Sequence, residues 1–140
     1  MKHRRRIPLA SGRVTTAAMP VRATVDTDAG KHRDPDTLER REWYMSKRWR
    51  RIRGKHLFQQ PNCVVCQVPG TQVDHLCGHN DEHAKYVIAA LNLGAITSPD
   101  WRERFWHGPY VTLCHSHHSA KTQAEMRGRL FEWIKTNIKQ

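Results

Sequence analysis

The chain has 140 residues, which suits one small domain with a tail. Its formal charge is +11, and residues 1–60 hold +10 of it, from 16 Lys/Arg against 6 Asp/Glu. That asymmetry points to a polyanionic partner. No apolar run is long enough to span a bilayer and there is no clean basic amphipathic anchor, so a membrane partner is not expected. The basic start, Met1 to Arg6, leads into no apolar stretch of the secretory type, so a cytoplasmic location is the default. In that compartment four cysteines argue for metal rather than disulfides.

Residues 1–37 show little hydrophobic periodicity and contain Pro8, Gly12, Pro20, Gly30 and Pro35. They read as a loosely held basic arm: a solvated tail, or a non-specific phosphate-binding segment. The folded domain is expected over 38–140. From about Leu38 to Gln60 the pattern is helical. Trp49, Ile52, His56 and Leu57 form one apolar stripe, Ser46 caps a second part, and Pro61 ends it. Around that stripe lie Lys47, Arg48, Arg50, Arg51, Arg53 and Lys55, with no acidic residue from Ser46 to Gln60. A helix so charged repels itself in isolation, so contact with a nucleic-acid backbone is expected of this face.

Cys63-Val-Val-Cys66 follows the helix and precedes a Pro69-Gly70 turn. Two cysteines on a tight turn present two thiolates to one tetrahedral ion. A redox reading would need the motif to open a helix. The second half of a zinc site is Cys114-His-Ser-His117, giving a Cys₃His set of Cys63, Cys66, Cys114 and His117. Cys77 is an alternative fourth ligand. His117 and His118 are adjacent, and neighbours on a helix point about 100° apart, so they serve two sites rather than one.

Thr71 to Leu76 reads as a short strand, on which Asp74 and His75 point to opposite faces. If both act at one phosphate they must sit where the strand ends and the backbone turns. Residues 82–104 look like an insertion, with a helix from Tyr86 to Leu93 stopped by Gly94, and a second helix begun by Ser98 and Pro99. Gly108-Pro109 turns the chain into a second strand, Tyr110 to Leu113. A last helix runs from His117 or His118 to Ile138, with Leu130, Ile134 and Ile138 on its apolar side.

Taken together, Trp49-Arg-Arg-Ile-Arg53, Cys63-x-x-Cys66, Val73-Asp-His-Leu76, Phe105-Trp106 and Leu113-Cys-x-x-His-His-x-x-Lys-Thr122 resemble the HNH endonucleases of phage and prophage type. The resemblance covers about residues 44–125. It implies a small α+β fold with a ββα-metal core, a structural zinc site and flanking helices. It also implies His75 as general base and Asp74 and His118 as ligands of a catalytic divalent ion. Two departures stand out. His117 occupies the place of the family's usual fourth cysteine, and Pro109 that of its middle Asn, for which His107, Asn92 or the Gly108-Pro109 backbone would substitute.

The activity expected is metal-dependent hydrolysis of DNA phosphodiesters, by nicking or double-strand cleavage. An Asp/His ligand pair tolerates Mg²⁺, Mn²⁺, Ni²⁺ or Zn²⁺. Arg48, Arg50, Arg51, Arg53, Lys55 and Lys121 are the candidate contacts to double-stranded DNA, and His79 is a further candidate at phosphate. A phage origin would imply work in DNA packaging beside terminase and portal proteins, or in homing. The alternative is an inactive zinc-stabilised nucleic-acid-binding module, and Asp74, His75 and His118 are the residues such a module does not need.

Overall fold

The computed structural model describes residues 34–139. The basic arm lies outside the described residues up to position 33. Its predicted end is corrected: Pro35, Asp36 and Thr37 already form the first turn of helix α1 (Pro35–Met45). Asp34 caps this helix, its carboxylate accepting from the Thr37 N–H at 3.2 Å. The helix expected from Leu38 to Gln60 is two helices, because Ser46 has extended backbone. As the cap predicted for the second part, it accepts from the Trp49 N–H at 3.1 Å and starts α2 (Lys47–Gln59).

The sheet of the described residues has two antiparallel strands, β1 (Gln72–His75) and β2 (Tyr110–Leu113). Their register pairs Asp74 with Val111 and His75 with Tyr110. Between them lie α3 (Asp81–Ala90) and α4 (Trp101–His107). Both differ from the sequence-based bounds. Asn80 caps α3 five residues earlier than predicted, and the helix stops at Ala90, followed by Asn92 at φ 55°. Asp100 rather than Ser98 caps α4, so Pro99 lies outside the helix. The last predicted helix is also two, α5 (His115–Met126) and α6 (Leu130–Asn137), separated at Gly128 with φ 67°. Only glycine takes that backbone cheaply.

Three apolar clusters hold these elements together. Trp49, Val73, Trp101 and Phe105 join α2, β1 and α4, with Trp43 of α1 packed against them. Each such aromatic contributes about 2–3 kcal/mol by burial. Cys77, Ala84, Val87, Leu130 and Ile134 join α3 to α6. Cys63, Val111 and Leu113 join the first cysteine turn to β2. Helix α5 packs on both strands. The segment between the strands is pinned by Arg104, fully buried, which donates to the carbonyls of Ser98, Pro99 and Gly78 and to Asp81 at 2.9 Å. No helix of the described residues is long and apolar enough to cross a membrane.

Candidate metal and nuclease site

The first cysteine pair sits on a knuckle made by backbone bonds. Cys63 N–H donates to Val68 O at 2.7 Å, Gln67 N–H to Cys63 O at 2.9 Å, and Gln67 takes φ 64°. Gly70 closes this turn so tightly against β2 that an added Cβ would collide with the Thr112 side chain. The second pair is presented by the β2–α5 junction, where Cys114 is the N-cap residue of α5.

Across that junction the four predicted zinc ligands meet. Their ligand atoms all lie within 4.8 Å of one another. Cys66 Sγ is 3.9 Å from Cys114 Sγ; His117 Nδ1 is 3.6 Å from Cys63 Sγ and 3.2 Å from Cys114 Sγ. Tetrahedral bonds of about 2.3 Å to sulfur and 2.0 Å to nitrogen require edges of roughly 3.5–3.8 Å, so the set fits a structural metal such as zinc. Burial works against the Cys63 thiolate, but backbone bonds from Cys114, Cys66 and Val65 outweigh it and bring its pKa down to about 6. Cys77 is not in the cluster; it is buried in the α3–α6 core, where desolvation pushes its thiol up.

Asp74 and His75 end β1 and, as a strand requires, face opposite ways. His75 is 1% exposed and stacks on Trp49, with ring centroids 5.3 Å apart and planes 16° apart, beside Phe105 and Tyr110. Its Nε2 lies 3.1 Å from the Phe105 carbonyl oxygen, which can only accept, so Nε2 carries the proton and Nδ1 the lone pair. Burial lowers its pKa to about 4, so it is neutral at physiological pH. The Tyr44 hydroxyl stands 3.4 Å from that Nδ1 and 2.7 Å from His79 Nε2. Burial also lowers His79, to about 3.

On the other face Asp74 meets α5. Its Oδ1 accepts from the His75 N–H at 2.8 Å and its Oδ2 from Lys121 Nζ at 2.9 Å. Burial raises the Asp74 pKa, but Lys121 overcomes this and the carboxyl is held below its usual range. His118 lies on α5, the same helix whose Lys121 reaches Asp74. Among the described residues the His118 ring makes no hydrogen bond.

Lys121 corrects a sequence expectation. It is not a DNA contact: its side chain is fully buried, with Nζ donating to Asp74, to the His75 carbonyl at 2.8 Å and to Glu125. A buried ammonium needs such partners, and it has no route to a phosphate. The basic helix face also divides. Arg48 lies over the Trp106 ring at 4.1 Å, Arg50 donates to Met45 O at 3.3 Å, and Arg53 to Thr71 O at 2.6 Å. Arg51 and Lys55 are exposed without such partners among the described residues.

At the Pro109 position the backbone does the bracing: Leu76 N–H donates to Pro109 O at 2.9 Å, and Thr97 Oγ1 to Gly108 O at 2.9 Å. His107 and Asn92 are exposed, and their side chains make no hydrogen bond among the described residues. Sequence reading missed Tyr44, Glu125 and Arg104. Glu125 had a local signal, the i,i+4 pairing with Lys121. Tyr44 had none, being 31 residues from His75. Comparison with known proteins finds no match to a family model, to a curated protein or to a solved structure.

Proposed function

We propose that this chain is a metal-dependent DNA endonuclease of HNH type. The observation that carries the reading is the end of β1: a buried neutral histidine with a lone pair on Nδ1, its neighbouring carboxylate turned to α5, and His118 on that same helix. His75 accepts the proton of a water whose oxygen bonds to phosphorus, the P–O3′ bond breaks, and the 3′-oxygen takes a proton from solvent. Asp74 and His118 would hold a divalent ion, which when bound would supply charge neutralisation at the scissile phosphate. The Phe105 carbonyl keeps His75 in the tautomer whose Nδ1 can act as base. The Cys63, Cys66, Cys114 and His117 cluster is structural and ties the cysteine turn to the start of α5.

The test is cleavage of supercoiled plasmid with Mg²⁺, Mn²⁺, Ni²⁺ or EDTA, run beside His75→Asn, which fills the site better than alanine. Metal-dependent nicking that vanishes in the variant is the expected result. One observation favours the second reading, an inactive zinc-stabilised DNA-binding module: Tyr44 covers the base nitrogen, and both Asp74 oxygens already have protein partners. Salt-sensitive DNA binding without cutting in any metal would select that reading.

A further inference from the structure

Helix α2 divides its cations into two groups. Arg48, Arg50 and Arg53 are held by an indole ring and two backbone carbonyls. Lys47, Arg51 and Lys55 are exposed and make no hydrogen bond or ion pair among the described residues. These three are spaced i, i+4, i+8, and Phe58 follows three residues later. At about 100° per residue the four fall within an arc of about 80°, opposite buried Trp49 and half-buried His56. Phe58 is 88% exposed, the highest value among the exposed large apolar side chains. Beside this stripe is Gly54, in mid-helix, where an added Cβ would meet nothing within 4 Å. No fold contact calls for a glycine there, and alanine is the better helix former. What a glycine does provide on an exposed face is close approach of another molecule to the helix backbone.

We propose that this face of α2 is where the backbone of duplex DNA docks, with Lys47, Arg51 and Lys55 neutralising phosphates, Gly54 admitting the strand, and Phe58 adding an apolar contact at one end. The partner is taken from the nuclease reading, and charge complementarity chooses it: three exposed cations with no ion pair among the described residues sit on a helix with no acidic residue. Arg48, Arg50 and Arg53 are also exposed, but each is already engaged within the fold, so the docking is assigned to the other three.

The experiment is fluorescence anisotropy of a labelled duplex with the full chain, without added divalent ion, across a KCl series. The triple variant Lys47→Gln/Arg51→Gln/Lys55→Gln is compared with Arg127→Gln/Arg129→Gln/Lys135→Gln, which removes the same charge from the α5–α6 side. Each phosphate that the protein ceases to neutralise lowers the slope of log K against log salt by about 0.9. The first triple is expected to lose roughly 2.7 in slope and at least tenfold in affinity, and the second less than about one in slope. Phe58→Ala is expected to weaken binding several-fold with an unchanged slope. Gly54→Gln is expected to weaken binding with the melting temperature maintained or raised. Equal slope losses in the two triples would mean net charge alone is felt and would overturn the docking face. Unchanged affinity in Phe58→Ala and Gly54→Gln would overturn the parts given to those residues. Wild-type binding that falls as predicted in the first triple, but without plasmid cutting, removes the nuclease and leaves the face. Cutting with an unchanged slope removes the face and leaves the nuclease.

Discussion

The Tyr44 hydroxyl lies 3.4 Å from His75 Nδ1, on the one ring nitrogen that the fold leaves with a lone pair. A residue 31 positions upstream thus occupies the place that an attacking water would need in the proposed reaction. Burial, joined by the charges of Asp74 and Glu125, raises the tyrosine's pKa, so it remains a neutral donor. Its shorter bond, 2.7 Å, goes to His79. Tyr44→Phe keeps the ring contacts with Trp49 and Phe105 and removes only the hydroxyl. Stability is expected to change by about 1 kcal/mol or less. Nicking is expected to rise, because the hydroxyl no longer competes with water. A tenfold fall in rate would instead make Tyr44 a donor that positions the base.

Removing a ligand of the Cys₃His cluster should cost the fold and not just the ion. Beta strands of four residues and small apolar clusters leave little to replace the cross-link. Cys63→Ala, Cys114→Ala and His117→Ala are expected to lose bound zinc, measured by elemental analysis, and to melt non-cooperatively. Cys77→Ala is expected to keep one zinc and lose about 1 kcal/mol of packing. His118→Ala is expected to keep zinc and lose cutting. Loss of zinc in His118→Ala would show that the two histidines have exchanged roles.

Lys121, fully buried, joins Asp74 and Glu125, whose side chains are only partly exposed. Lys121→Met retains the stem and leaves two carboxylates facing each other without a cation. Breaking such a buried set by removing one partner destabilises by about 3 kcal/mol or more, seen as a lower midpoint in urea. A neutral result would mean that water reaches this site and that the ion pair carries little stability.

Buried His75 and half-buried His79 give the fold an acid-sensitive window. His75 is lowered from 6.5 to about 4 and His79 to about 3, both mainly by burial. Between pH 6.5 and 4 the unfolded chain binds protons that the folded chain refuses, so stability is full above pH 6.5 and falls as pH falls. Imidazole proton resonances followed by NMR should show two rings whose midpoints lie well below 6.5. Ordinary midpoints for both would mean the aromatic enclosure around His75 opens freely.

Much of the site was legible without coordinates. Cys63 with Cys66, and Cys114 with His117, are local pairs two residues apart, and spacing of that kind already presents ligands to one ion. Ser46 as a cap and the opposed directions of Asp74 and His75 also follow from local backbone rules. Residue type and neighbour spacing decide such features whatever the chain does elsewhere. What only the tertiary structure decided involves partners far apart in the chain. Lys121 reads as a surface cation until Asp74, 47 residues away, is seen to bury it. Arg48 and Arg51 are indistinguishable in sequence and both exposed, yet only Arg48 lies over an aromatic ring, that of Trp106. The covering of His75 by Tyr44, and the choice of His117 over Cys77 as the fourth ligand, depend on how helices close over a two-stranded sheet. That closure is set by summed burial across α1, α2 and α4, which no local pattern encodes.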